Sequence, residues 1–152
     1  MAKIRTLRRC ALFRGLQYRD LAILAPYVKE EKAKAKSWLS ESGKPTRGLV
    51  VIKSGRVKLI AGDTDGSEME IGSGEFFGEL ALADGDQTRA VGAQAIDSCE
   101  FLRIDPEGFR ALMSKSPDVA GKLAQGILSA VSEKMVGVRT ILGELIGATK
   151  AH

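Results

Sequence analysis

The sequence predicts a mainly β domain flanked by helices, because helical and strand-like patterns occupy separate stretches of the chain. Residues 1–36 have a helical pattern, in which Asp20 can cap the apolar run that follows it and Pro26 stops that run. Residues 37–105 carry short apolar runs separated by glycines, which is typical of strands and turns. Residues 106–148 return to a helical pattern. We therefore expect a single domain over all 152 residues, with a β core between two helical parts.

The strands of the β core can be placed from their apolar patterns. One segment is a continuous buried run, Leu-Val-Val-Ile, and the next alternates apolar and basic side chains. A Gly-Asp-Thr-Asp-Gly turn over residues 62–66 then separates two strand-like segments, which is a hairpin signal. The candidate strands are residues 49–52, 56–61, 67–71, 89–95 and 99–104.

Two proline motifs mark helix starts near the C-terminus. Asp105 places a capping carboxylate before a proline at the first helical position, and Ser116 repeats the arrangement. Apolar residues then recur at spacings of three and four, which is the a/d rhythm of a helix seam, at Leu128, Val131, Met135, Val138, Leu142 and Leu145. The seam can pack against its own domain or against a second copy. We expect a homodimer through residues 118–148, because no later element follows to cover this helix.

Composition excludes several classes of protein. The chain is 44% hydrophobic with a net charge of only +4, which argues against disorder. No run approaches the roughly 18 uncharged apolar residues that a membrane span needs. Arginines at positions 8, 9 and 14 interrupt any signal-peptide core. We therefore expect a soluble, cytoplasmic protein without a membrane span.

Two cysteines and one histidine limit the chemistry. Cys10 and Cys99 match no metal or redox spacing, so we expect two reduced, buried thiols. The single histidine is the last residue, His152, which argues against a catalytic triad or a histidine metal site. We expect no metal, no catalytic residues and no enzymatic activity.

The charge is unevenly distributed along the chain. Residues 1–36 contain ten Lys/Arg and three acidic residues, so this segment carries +7 and the remainder carries −3. A basic segment can bind nucleic acid or an acidic partner. It can also be the solvated faces of short helices, which we favour because no nucleic-acid motif accompanies it.

The most informative segment is residues 74–82, Gly-Glu-Phe-Phe-Gly-Glu-Leu-Ala-Leu, followed by Arg89. A strand ends here at a glycine turn, and Gly78 allows the backbone to bend and approach a ligand closely. The amides of Leu80 and Ala81 would point outward from the start of a short helix, which is an anion site. Arg89 can present a planar fork of donors to phosphate oxygens.

Glu79 would lie beside this anion and therefore needs a donor such as a sugar hydroxyl. One acid for hydroxyls and one arginine for phosphate suit a ribose cyclic phosphate. Residues 74–82 with Arg89 resemble the phosphate-binding cassette of cyclic nucleotide-binding domains. Residues 52–57 resemble the strand–glycine–strand signature of that family, and residues 99–102 resemble its last strand.

The resemblance implies a β-roll, which is a jelly-roll-like barrel of two antiparallel sheets, with N-terminal helices and a long C-terminal helix. It implies that Glu79 accepts the ribose 2′-hydroxyl and that Arg89 pairs with the cyclic phosphate. The other ligand-binding residues that it implies are Phe77, Gly78, Leu80, Ala81 and Ala90. The last helix would close over the base and form the dimer.

Three departures from the family pattern refine this expectation. Ala90 stands where a threonine is associated with a preference for cGMP, so cAMP is favoured as the ligand and cGMP is possible. Lys36 stands where the family has a turn glycine. Bacterial regulators of this family continue with a helix-turn-helix domain, and the 35 residues after Pro117 leave no room for one, so we expect no direct DNA binding.

The expected function is therefore that of a stand-alone, non-enzymatic sensor. It would bind cyclic nucleotide, cAMP before cGMP, and signal through its C-terminal helix to a dimer or a protein partner. The alternative is a ligand-free protein-interaction module with a degenerate form of the same fold.

Overall fold

The computed structural model describes residues 2–40, 48–60, 68–78, 92–130 and 132. The chain begins with helices α1 (Ala2–Arg9) and α2 (Tyr18–Leu24), each followed by a single 3-10 turn, at Ala11–Phe13 and Ala25–Tyr27. The strands are β1 (Lys29–Ala33), β2 (Trp38–Ser40), β3 (Leu49–Ser54), β4 (Val57–Ile60), β5 (Glu68–Ile71), β6 (Phe76–Phe77), β7 (Gly92–Ala95) and β8 (Cys99–Ile104). Helix α3 (Pro106–Lys115) and helix α4 (residues 117–130) follow.

The described strands form two antiparallel four-stranded sheets. Their orders are β1-β8-β3-β6 and β2-β7-β4-β5. Strands β4 and β5 pair with Val57 opposite Ile71, as predicted for a hairpin, although its turn lies outside the described residues. The predicted β-roll with flanking helices is confirmed.

Buried side chains fill the space between the two sheets. Val50 and Ile52 of β3 belong to the same inner cluster as Val57 and Ile71 of the other sheet, together with Phe101 of β8. Neighbouring positions of β3 point to the opposite face, because side chains alternate along a strand. The continuous apolar run in β3 is therefore explained by burial on both faces of its sheet.

The helices cover the outer face of the β3-containing sheet. Leu49 and Val51 of β3, with Leu102 and Ile104 of β8, share a second cluster with helical residues. The fully buried leucines that the helical segments supply to this cluster are Leu7, Leu12, Leu21, Leu24, Leu112 and Leu123. The roll therefore has one core between its sheets and another beneath its helices.

The helical N-terminal segment is shorter than the predicted residues 1–36. The last 3-10 turn ends at Tyr27, and β1 pairs with β8 from Lys29 opposite Arg103 to Ala33 opposite Cys99. The sequence of β1, Lys-Glu-Glu-Lys-Ala, has no alternating apolar pattern. None of its side chains is fully buried, so neither face of the strand requires apolar residues. Pairing with the edge of β8, rather than local propensity, makes this segment a strand.

The predicted helix starts are largely confirmed. The Asp105 side chain accepts a hydrogen bond from the Gly108 N–H at 2.7 Å, and Pro106 occupies the first turn of α3. Helix α4 begins at residue 117, directly after Ser116. Asp20 also stabilises a helix start, but from the third helical position, because α2 begins earlier than predicted, and its carboxylate accepts from the Gln17 N–H at 2.9 Å.

Helix α4 is held against the N-terminal segment by two specific contacts. Lys122 Nζ lies 2.8 Å from Asp20 Oδ2, and the Asp20 side chain is only 2% exposed. One turn later, Gly126 approaches the Leu12 backbone so closely that a Cβ on Gly126 would overlap the Leu12 carbonyl oxygen. The C-terminal helix is therefore positioned by backbone packing as well as by the buried side chain of Leu123.

Candidate functional site

The structure describes only part of the predicted binding segment. Phe77 and Gly78 are described, whereas Glu79, Leu80, Ala81, Arg89 and Ala90 lie outside the described residues. The described strands on either side of this segment nevertheless show where it is attached.

Strand β6 fixes the start of the predicted binding segment. Phe77 lies opposite Val50 and Phe76 lies opposite Val51, so the two phenylalanines point to opposite faces of the sheet. Phe77 is 6% exposed within the core between the sheets. Phe76 packs against the core beneath the helices. Because the Phe77 side chain fills the core, we expect its backbone rather than its ring to face a ligand.

Gly78 directly follows strand β6. Its φ of 82° lies in the left-handed region, which glycine adopts without the steric cost of a Cβ. This backbone conformation agrees with the bend predicted at Gly78 from the sequence. A substitution there would strain the backbone at the point where the chain enters the predicted phosphate site.

The chain beyond the predicted binding segment continues in the other sheet. Strand β7 begins at Gly92, and Ala93 and Ala95 are buried in the core between the sheets. Strand β6 belongs to the sheet that contains β3, while β7 belongs to the sheet that contains β4. Residues 79–91 therefore connect the two sheets, because the chain before them belongs to one sheet through β6 and the chain after them belongs to the other through β7.

An apolar surface lies on the inner side of the second sheet. Leu59 is opposite both Met69 and Ala93, and paired residues share one face of a sheet. Ala93 is fully buried and Leu59 is partly buried against the inner core. Met69, by contrast, is 61% exposed. The inner face thus ends in an exposed apolar side chain that can contact a flat ring by dispersion.

Sequence reasoning missed Met69. The flanking residues Glu68 and Glu70 predict a solvated strand face, and this prediction assigns no role to the methionine between them. The alternation of β5 supplies the missing signal, because a lone apolar residue between two acids must point to the opposite face.

Two cations that lie opposite each other on β1 and β8, Lys29 and Arg103, already have carboxylate partners. Arg103 Nε lies 2.9 Å from Glu31 Oε2, and the guanidinium stands 5.6 Å from the centre of the Phe101 ring. Lys29, opposite Arg103, lies 2.8 Å from Asp105 Oδ2. The hydrogen bond from Lys29 lowers the pKa of Asp105, and the same contact raises the pKa of Lys29. Neither Lys29 nor Arg103 is therefore a better candidate for pairing with a phosphate than Arg89, which is predicted for that role from the sequence.

A surface groove of about 380 Å³ lies over β1 and β8, and its described lining includes neither Phe77 nor Gly78. Its lining includes Lys32, Lys53 and Glu100. Both lysines are close to the Glu100 carboxylate, at 3.8 Å and 3.5 Å respectively. Since the two lysine charges are partly neutralised by this carboxylate, the groove is a poor candidate for an anionic ligand.

The two cysteines are free and buried, as predicted. Burial raises the pKa of the Cys10 thiol to about 11, and burial also raises the pKa of Cys99. Both thiols therefore remain protonated at neutral pH. Within the described ranges, no group of three or more potential ligands forms a metal site. The described helices include none that is long and apolar enough to span a membrane.

Comparison with known proteins places this architecture in a family. A family model described as "Cyclic nucleotide-binding domain" matches residues 30–116, from β1 to the end of α3. The chain belongs to the cyclic nucleotide-binding domain family. The matched range includes the whole predicted cassette and every described strand except the first residue of β1.

Individual relatives agree with this assignment. The cAMP-activated global transcriptional regulator CRP of Salmonella typhimurium is 32% identical over 110 residues, which cover 68% of this chain and 52% of the regulator. The chain therefore spans about half the length of this curated relative. Among solved structures, the N-terminal domain of a transcriptional regulator from Streptomyces coelicolor A3(2) has a TM-score of 0.74 at 26% identity, covering 88% of this chain and 94% of that domain. The regulatory domain of Toxoplasma gondii PKA, crystallised with cAMP, has a TM-score of 0.62 at 28% identity, with 72% and 42% coverage.

Proposed function

We propose that this cyclic nucleotide-binding domain binds cAMP in preference to cGMP and acts as a sensor rather than as an enzyme. The observation that carries the proposal is the attachment of residues 79–91. The segment leaves β6 at a left-handed glycine, Gly78, and returns to the opposite sheet at Gly92. A ligand held by this segment would lie beside the inner faces of both sheets.

Each part of a cyclic nucleotide has a proposed partner. The phosphate pairs with Arg89 and with backbone amides at Leu80 and Ala81, with Ala90 beside it. The ribose 2′-hydroxyl donates to Glu79. The purine lies toward the apolar inner surface at Leu59 and Met69. The similarity to a cAMP-activated regulator and to a cAMP-bound kinase regulatory domain supports cAMP as the ligand.

Signalling is proposed to pass through the C-terminal helix. Leu128, the first residue of the predicted seam, is 64% exposed on α4, and the later seam residues lie outside the described residues. An exposed leucine at a seam position supports a homodimer through residues 118–148 or the docking of a protein partner on this helix.

The phosphate contact can be tested by calorimetric titration with cAMP and cGMP. A charge-assisted arginine–phosphate pair is worth about 1.5–3 kcal/mol, so Arg89→Ala should weaken cAMP binding by about 10- to 150-fold. Arg110→Ala is a suitable control, because Arg110 is an exposed arginine of α3 outside the predicted cassette. Unchanged cAMP affinity in Arg89→Ala would contradict the proposed site.

The ribose contact can be tested with 2′-deoxy-cAMP. The wild-type protein should bind this analogue more weakly than cAMP, whereas Glu79→Ala should bind both nucleotides with similar, reduced affinity. Discrimination that persists in the variant would remove Glu79 from the site. If neither cAMP nor cGMP binds the wild-type protein, the ligand-free interaction module becomes the better description.

A further inference from the structure

The exposed charge of the N-terminal helical segment is entirely positive. Residues 2–28 contain six cations and one acid, Asp20. The Asp20 side chain is 2% exposed and is already paired with Lys122. The exposed charged side chains of α1 and α2 are therefore all cationic, and the one carboxylate near them that this segment supplies, Asp20, is buried beside Arg19.

Five of these six cations are exposed arginines, and α2 also carries two large exposed side chains that are largely apolar. The arginines are Arg5, Arg8, Arg9, Arg14 and Arg19. In the described part of the chain, none of them lies in an ion pair. On α2, Tyr18 is 52% exposed and Ile23 is 37% exposed. These five arginines with Tyr18 and Ile23 are called the basic face.

We propose that the basic face binds an acidic segment of a partner protein in which apolar side chains alternate with carboxylates. Arginine matches carboxylates with two parallel hydrogen bonds, and it is enriched with tyrosine at protein interfaces. Arg5 repels Arg8 and Arg9, which lie three and four residues later on the same helix, and a negatively charged partner relieves that repulsion. The exposed side chains of Tyr18 and Ile23 can contact apolar side chains of such a partner, whereas a ligand that carries only charges has no group that packs against them.

A protein partner fits these observations better than a membrane or a nucleic acid. The apolar residues of α1, Ile4 and Leu7, are buried in the core, so α1 has no apolar face left to insert into a bilayer. α1 is only eight residues long, about 12 Å, and the arginines are spread over two helices and a turn. A phosphate backbone would engage the arginines but would leave Ile23 without an apolar partner.

Fluorescence anisotropy with the full chain tests the proposal. The probe is a labelled synthetic peptide in which glutamates alternate with leucines, compared with an equally charged peptide that has serine in place of leucine. Oligothymidylate and vesicles of phosphatidylcholine with phosphatidylserine represent the other classes of partner. At physiological ionic strength, the leucine-containing peptide should bind most tightly, and serine for leucine should weaken binding several-fold.

Charge reversal locates the binding surface. The variant Arg5→Glu with Arg8→Glu and Arg14→Glu should lose about tenfold or more in affinity for the leucine-containing peptide. A control with the same change in net charge, made by glutamate substitution at the exposed residues Lys34, Arg110 and Lys115, should stay within about twofold of wild type. If the first variant unfolds, glutamine at the same three positions provides the same comparison without adding negative charge.

The proposal is wrong if the leucine-containing peptide does not bind, or if oligothymidylate or vesicles bind more tightly than it does. It is also wrong if the control variant loses as much affinity as the basic-face variant. None of these outcomes depends on whether the roll binds a cyclic nucleotide.

Discussion

A methyl group on Gly126 has no room in this structure. Its Cβ would overlap the Leu12 carbonyl oxygen, and backbone lies on both sides of the contact. Alanine is favoured over glycine in a helix by about 1 kcal/mol, whereas an extra methyl in a packed site costs about 1–3 kcal/mol. Since no flexible side chain can move aside, the packing cost is at the upper end of its range, about 3 kcal/mol, and exceeds the gain in helix propensity by about 2 kcal/mol. Gly126→Ala should destabilise the fold by about 2 kcal/mol.

Gly121 supplies a matched control in the same helix. A Cβ there would meet no atom within 4 Å, so Gly121→Ala should gain about 1 kcal/mol from helix propensity. The effect of alanine on the unfolded chain is common to both variants and cancels in the comparison. Urea unfolding followed by circular dichroism should separate the two variants by about 3 kcal/mol, which is about 6–12 °C in Tm for a chain of this size. If both substitutions stabilise the protein equally, α4 does not pack on Leu12 as described.

Three further predictions follow from other contacts. Lys36 has a φ of 72°, so Lys36→Gly should stabilise the protein by up to about 1 kcal/mol in chemical unfolding, whereas Ala35→Gly should destabilise it by about 0.5 kcal/mol. The hydrogen bond from Lys122 lowers the pKa of Asp20 in the folded protein. The ionised Asp20 therefore stabilises the fold above the ordinary aspartate pKa, and this contribution is lost as the pH falls through the pKa of Asp20 in the folded state. Lys122→Met should therefore be less stable than wild type at neutral pH, and the difference should vanish in acid; a pH-independent difference in Tm would contradict this. Val138→Glu should convert a dimer to a monomer by light scattering, and an unchanged mass would count against the proposed seam.

The strands with strong apolar patterns could be predicted from sequence, whereas those formed by pairing could not. Strand β8 begins and ends at the predicted residues, Cys99 and Ile104, because its side chains are buried along most of its length. Strand β1 carries no comparable signal, since four of its five residues are charged and its partner is β8, about 70 residues away. A local pattern contains no information about which distant strand edge is available.

The site shows the same division between local and distant information. Gly78 and the cassette that follows it are contiguous, so their chemistry is visible in the sequence. Met69 reaches the inner face only because β5 pairs with β4 in a register that places Met69 opposite Leu59. Lys36 stands at a position where the family has a turn glycine, and its left-handed φ shows that the turn keeps the glycine conformation despite the lysine.

Two glycine contacts connect the predicted binding segment with the C-terminal helix through the N-terminal segment. Gly74, four residues before Gly78, is packed so that a Cβ on it would lie 3.3 Å from the Arg9 carbonyl oxygen. Three residues after Arg9, the Leu12 carbonyl meets Gly126 of α4. Both contacts involve backbone atoms, and Leu12 is fully buried. A movement of Gly74 or of Gly126 therefore cannot be absorbed by a flexible side chain at either contact. If nucleotide binding moves the turn before β6, this short segment is a physical route to α4, and by linkage any change in α4 that the ligand favours must in turn favour the ligand.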